Sequence, residues 1–292
     1  MATLRDIKLR IKGVKSTQQI TKAMKMVAAA KLRRTQESIM NARPYAKKIS
    51  TLLSHLVNED DLLSNPLFAE REVKNVAIVL VTADRGLCGA FNSNIIKETS
   101  RYIEEEVKAT HKNYQLFCLG KKGSDYFSKR NYSIGATYPG IFSSLNYTTA
   151  QKLVDELIPR YLDGSIDKVI LIFNEFKSII QQKIVVEQFL PIPAGNEKVN
   201  GKHKSVNYIY EIDQKSIFSY LIPKHLKGQM WRVLLESNAS EFAARMTAMD
   251  NATTNAKELI RTLSLTYNSK RQAAITKEIL EIVSGANALK EN

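Results

Sequence analysis

The sequence predicts an α/β protein: a long antiparallel coiled coil of the N- and C-terminal helices plus a small Rossmann-like α/β domain. Three patterns carry this expectation. The last stretch, residues 213–289, has no glycine between Gly228 and Gly285 and no proline after Pro223. A strict heptad runs from Leu4 to Leu56. Between them, short apolar runs alternate with helical patterns, which implies a mostly parallel sheet.

The C-terminal pattern predicts one long helix. Ala239, Phe242, Met246, Met249, Thr253, Ala256, Ile260, Leu263 and Tyr267 step by three and four, which keeps one face apolar. After the polar Lys270, Arg271 and Gln272 the stripe resumes at Ile275, Ile279, Ile282, Ala286 and Leu289, slipped by one residue. Such a stripe needs a partner helix.

The N-terminus supplies one. Thr3 and Asp6 have the spacing of a capping box. The heptad then reads Leu4, Ile7, Ile11, Val14, Gln18, Thr21, Lys25, Ala28, Leu32, Thr35, Ile39, Ala42, Ala46, Ile49, Leu53 and Leu56. Small residues at Ala28, Ala42 and Ala46 allow close approach, and Pro44 is expected to bend the helix without ending it. Residues 3–58 and 213–289 are therefore expected to pair antiparallel, with Met24 and Val27 beside Ile275–Ile282. Two amphipathic helices packed separately on a globular body are the alternative.

The middle reads as Val76–Thr82, a buried strand; a glycine-containing turn, Ala83–Asn92; and a helix over about 93–109. A strand at Tyr114–Leu119 and a helix near Lys121–Arg130 follow, then a helix at 148–162 and a buried strand at Val169–Phe173. Lys183–Leu190 alternates, as an antiparallel strand near an edge would. Pro191–Lys204 reads as a loop, and Tyr208–Glu211 as a last short strand. Residues 59–72 also read as a loop. The expected domains are 1–60, 73–212 and 213–292.

The chain has 292 residues, a net charge of +14 and a pI near 9.6, which points to an acidic partner. No apolar run is long enough to span a bilayer, and with its charged start no signal peptide is expected. Cys88 and Cys118 are too few for a disulfide framework, so a reducing cytoplasm is expected. No catalytic, cofactor or metal site is expected. Arg85–Gly89 follows a strand but has neither the G-x-G-x-x-G spacing nor a Gly-Lys-Ser/Thr ending. His55, His111, His203 and His225 lack metal-ligand spacing, and no nucleophile–base pair stands out. The residues describe an interaction or mechanical protein. A basic coiled coil that binds nucleic acid is the alternative on charge alone, although its cations are not interleaved with aromatics for base stacking.

Four stretches are more specific. Gln19-Ile-Thr-Lys-Ala-Met-Lys-Met-Val-Ala-Ala-Ala-Lys31 and Thr82-Ala-Asp-Arg-Gly-Leu-Cys-Gly-Ala90 resemble the N-terminal and central motifs of the gamma subunits of F-type ATP synthases. Glu241-Phe-Ala-Ala-Arg-Met-Thr-Ala-Met-Asp-Asn-Ala252 and Arg271-Gln-Ala-Ala-Ile-Thr-Lys-Glu-Ile-Leu-Glu-Ile-Val-Ser-Gly-Ala286 are similar to that family's C-terminal motifs. The resemblance implies a rotating central stalk inside a ring of alpha and beta subunits, beside the epsilon subunit and on the membrane c-ring. It implies a peripheral position on the cytoplasmic face of a bacterial-type inner membrane, with nucleotide chemistry confined to beta. By the same resemblance Arg271, Gln272 and Thr276 form a catch for beta, and Met24 and Lys25 an N-terminal contact with it. Lys25 departs from the pattern, because some members carry an acid there. Arg85, Leu87 and Cys88 lie in the turn that meets the acidic lever of beta. Tyr208, Tyr210 and Glu211 form the foot on the c-ring. The cysteine-bearing regulatory insertion of chloroplast relatives is missing, so thiol regulation is not expected.

Overall fold

The computed structural model describes residues 3–56, 65–193 and 214–290. The expected strand at Tyr208–Glu211, part of the loop at 59–72 and most of the loop at 191–204 lie outside the described residues. Helix α1 spans Leu4–Leu56 and helix α5 spans Gln214–Lys290. The capping box forms: the Thr3 amide donates to Asp6 Oδ2 at 2.9 Å, and the Asp6 amide donates to Thr3 Oγ1 at 3.2 Å. Hydrogen bonding from the Thr3 amide, and then from its side chain, holds the Asp6 carboxyl below its usual range. Pro44 lies inside α1, which continues past it.

The chain forms two compact units, residues 1–28 with 246–292 and residues 29–245. Both long helices contribute to each.

In the first unit α1 and α5 are antiparallel. Thr21 Oγ1 and Thr253 Oγ1 lie 2.8 Å apart, and the Lys25 ammonium meets Asp250 at 2.6 Å. Moving up one helix moves down the other. This register corrects the expected one, because residues 21–25 face 250–253 and Met24 and Val27 are not beside Ile275–Ile282. The reason is length. Seventeen residues back from Thr21 the helix reaches its start at Leu4, and seventeen on from Thr253 is Lys270. Beyond Lys270, α1 offers nothing to pack on. The resumed stripe is accordingly not buried within the unit: Ile275, Ile279, Ile282 and Ala286 are exposed, Ile282 at 71%. No described heptad position of α1 is exposed, the polar Gln18, Thr21, Lys25 and Thr35 included.

In the second unit a five-stranded sheet comprises β1 (Asn75–Val81), β2 (Asn113–Leu119), β3 (Ile134–Tyr138), β4 (Lys168–Phe176) and β5 (Gln182–Leu190), in the order β3-β2-β1-β4-β5. The first four run parallel and β5 pairs antiparallel with β4. Helix α2 (Phe91–Tyr102) runs on through tighter and wider turns to Thr110; α3 is Lys121–Ser128 and α4 is Tyr147–Leu162. Alternate residues of β1 face opposite layers, as the two-residue period requires. Val76, Ile78 and Leu80 pack with Ile95, Ile103 and Phe127. Ala77, Val79 and Val81 share the other core with Leu153 and Leu157 of α4, Met230 and Val233 of α5, and Ile49 and Leu53 of α1. Both faces are covered, so the central strands read as continuous apolar runs. Strand β3 was not expected. It is short, contains Gly135 and has no fully buried residue, which leaves an edge strand without an apolar run to reveal it. Along the helix pair of this unit Leu32 packs on Ala239 and Ala243, small residues that permit close approach.

The register is testable. A Thr21→Cys/Thr253→Cys pair should oxidise readily without reductant, because the two hydroxyls already touch. A Val27→Cys/Ile279→Cys pair should remain reduced, since bridged Cα atoms must lie within about 7 Å. Gel mobility under non-reducing conditions distinguishes them, and oxidation of the second pair alone would restore the expected register.

Candidate functional site

The turn after β1 stands at the carboxyl edge of the parallel strands, where open α/β sheets hold ligands. Its floor is Asp84. The Asp84 carboxylate accepts from the backbone amides of Lys121 (3.0 Å), Gly140 (2.7 Å) and Phe142 (3.0 Å). Lys121 is the first residue of α3, so the carboxylate occupies donors that a bound phosphate would need. Gly120 sits at φ +94°, and a Cβ there would come within 2.0 Å of the Thr82 carbonyl oxygen. Thr82 Oγ1 also accepts from the Gly123 amide at 2.9 Å. The chain's own groups thus occupy the donors at this edge.

The rest of the turn hangs from side chains. The Ala83 amide donates to Asn92 Oδ1 at 2.9 Å, and Asn92 Nδ2 approaches Cys88 Sγ at 3.1 Å. Cys88 is 2% exposed and packs with Ala83 and Phe91 beneath the turn. Arg85 and Leu87 point outward, Leu87 at 66% exposure. The turn therefore offers a cation and an apolar side chain to solvent while its thiol faces inward. Leu87 has φ 65°, a left-handed conformation that costs a residue with Cβ roughly 1–2 kcal/mol, so its anchors must over-determine it.

One anchor comes from α5. Arg245 donates through Nη1 to the Gly86 carbonyl, and through Nη2 to Glu241. The Arg245 and Glu241 side chains are only 12% and 8% exposed. Burial raises the Glu241 carboxyl above its ordinary value, and Arg245 works against that shift. The sequence motif around Glu241 and Arg245 was legible, but the contact it makes was not. The available signal was two charged residues set among alanines on a buried helix face.

The other expected contacts with beta lie in the first unit. Met24 and Lys25 are half-buried, and Lys25 is engaged with Asp250. Arg271, Gln272 and Thr276 are exposed on α5, past the level at which α1 begins. Tyr208, Tyr210 and Glu211 lie outside the described residues. Among the described residues no three or more His, Cys, Asp or Glu side chains are grouped to hold a metal ion, and no helix is long and apolar enough to cross a membrane.

The sequence model of the family described as ATP synthase matches residues 3–289. The ATP synthase gamma chain of Chlorobaculum tepidum is 53% identical, with all of both chains covered, and that of Chloroherpeton thalassium is 52% identical over the same share. Among solved structures, the central stalk and c-ring assembly of the Tetrahymena thermophila mitochondrial ATP synthase contains a similar chain. It is 27% identical, has a TM-score of 0.61, and the match covers 80% of this chain and 99% of that one. A chain of the Euglena gracilis mitochondrial ATP synthase, at 20% identity, shares the fold with a TM-score of 0.68, over 98% of this chain and 94% of that one.

Burial of the two cysteines has a chemical consequence. Desolvation pushes the Cys118 thiol up to about 12 and raises the Cys88 thiol as well, so little reactive thiolate exists at neutral pH. Both should resist an aromatic disulfide reagent at pH 7.5 in the folded chain and react fully in urea. Rapid labelling of Cys118 in the folded chain would show that the sheet is open.

Proposed function

We propose a rotor role from one premise: the chain belongs to the family of ATP synthase gamma chains. In this reading it is the central stalk of an F-type ATP synthase. Alpha and beta subunits surround the helix pair of the first unit, and the epsilon subunit and the c-ring are its other partners. The chain carries no active site. ATP is made and hydrolysed on beta, and this subunit transmits rotation between the c-ring and those sites. It is peripheral, on the cytoplasmic face of a bacterial-type inner membrane, and meets the membrane only through the c-ring.

The observation that carries the reading is the surface of the first unit. Ile20, Met26, Val27, Leu265, Ile279 and Ile282 are all more than half exposed. Apolar side chains repeated along both helices are a surface that a partner covers. Apolar contact is non-directional. A sleeve of similar character can therefore hold the helices without fixing their angle, which is what a bearing requires. Directional contacts serve the opposite purpose. Arg271, Gln272 and Thr276 supply polar groups on the exposed stretch of α5 and act as the catch for beta, with Met24 and Lys25 the N-terminal contact. Arg85 and Leu87 meet the acidic lever of beta, and the inward Cys88 supports their turn. Tyr208, Tyr210 and Glu211 form the foot on the c-ring. The occupied backbone donors around Asp84 support a non-catalytic role.

The test uses the assembled complex. A charge-assisted hydrogen bond contributes ~1.5–3 kcal/mol. Arg271→Ala with Gln272→Ala should therefore lower steady ATP hydrolysis and ion-driven synthesis roughly tenfold. Subunit content should not change, because these side chains are exposed and take no part in the seam. Normal rates in a complete complex would remove both residues from the mechanism. Failure of this chain to co-purify with alpha, beta and epsilon subunits would remove the rotor role itself.

A further inference from the structure

We infer that Arg245, oriented by Glu241, is a positioning residue that clamps the Arg85–Cys88 turn to helix α5, so that rotation of the helix carries the turn rigidly against beta. The inference rests on the reading of that turn as a beta contact.

The geometry has three parts. A planar guanidinium spans two acceptors, the Gly86 carbonyl and the Glu241 carboxylate, with different nitrogens. Glu241 lies one helical turn before Arg245, so the carboxylate fixes the fork on the helix surface and leaves the other nitrogen aimed at the turn. Gly86 immediately precedes Leu87, the residue held at φ 65°. An isolated turn would relax that conformation. The clamp binds the carbonyl next to it, and Asn92 holds the base of the turn from α2.

Burial favours a rigid clamp. Both charged side chains are largely removed from water, so losing one leaves the other unpaired, and the pair stays closed. An exposed pair would exchange with solvent and transmit little force. The turn's outward groups, Arg85 and Leu87, are thereby tied to α5 by a path of one side chain. Lysine cannot replace arginine in this role, because a point charge cannot bridge two acceptors in fixed directions.

Cys88 provides a reporter. Its thiol lies under the turn and Sγ is 3.8 Å from the Arg85 carbonyl, so loosening the turn exposes it. Cys118, in the middle of the sheet, is an internal control. The variants are Arg245→Lys, and Arg245→Met combined with Glu241→Gln, which leaves no unpaired buried charge. In the full chain, Cys88 labelling should accelerate about tenfold or more while Cys118 stays protected. In the assembled complex, kcat for ATP hydrolysis should fall severalfold with KM for ATP unchanged, because the nucleotide pocket is not touched. Unchanged Cys88 labelling would overturn the clamp. Faster labelling with normal kcat would also overturn it, provided Arg85→Glu with Leu87→Asp lowers kcat and so shows that the turn matters. If that turn variant is itself normal, the reading of the turn as a beta contact fails and the positioning role falls with it. Acceleration at both cysteines would mean that the sheet has opened, and would count against a local clamp.

Discussion

Two polar contacts, Thr21 with Thr253 and Lys25 with Asp250, set the register of the helix pair in the first unit. Apolar heptads alone do not choose a register, since sliding by one heptad leaves the stripes matched. A part-buried hydroxyl pair favours one register. Each hydroxyl also has a carbonyl acceptor in its own helix, Gln18 at 3.1 Å for Thr21 and Met249 at 2.7 Å for Thr253, so slipping leaves neither unpaired and forfeits only the contact between helices, worth ~0.5–1.5 kcal/mol. Lys25 adds a charge pair at the border of the seam, half exposed and therefore worth less. Once this register is fixed, the start of α1 decides which part of α5 is paired. The stretch beyond Lys270 is left with apolar side chains on its surface. That stretch also carries the exposed Arg271, Gln272 and Thr276, so the proposed directional contacts for a partner fall where intrachain packing stops.

The second unit shows the complementary choice. Its sheet is covered on both faces, and the ligand-holding edge is occupied by Asp84 and the loops that it ties together. The same edge carries the Arg85–Cys88 turn. A fold that elsewhere holds nucleotides at this position has here turned its backbone donors inward, which leaves the outer face of the turn free for protein contact.

Much of the architecture was legible in the sequence because it follows from periodicity. The heptad from Leu4 to Leu53 and the stripe from Ala239 to Tyr267 are buried or half-buried where described, position by position. The antiparallel edge strand β5 was legible through its alternation. Three features were not. Register depends on which polar residues meet across the seam, which a single helix pattern does not reveal, and the expected match of Met24 with Ile275–Ile282 was wrong for that reason. The resumed stripe at Ile275–Ala286 looked like intrachain core because apolar periodicity does not say whose surface it faces. Strand β3 lacked an apolar run. At the candidate site, the motifs pointed to the residues exposed on the turn, Arg85 and Leu87. They did not reveal that Cys88 faces inward or that Arg245, 159 positions from Gly86, holds the turn.

The central claim is that α5 beyond Lys270 is built for a partner and not for α1. Amide hydrogen exchange across residues 271–286, measured in the full chain alone and in the assembled complex, tests it most directly. The account predicts fast exchange in the lone chain, since this stretch lacks tertiary packing, and slowing by about a hundredfold or more in the complex. Equal and strong protection in both states would mean that the stretch packs within the chain, and equal lack of protection would mean that no partner holds it; either result would contradict the account.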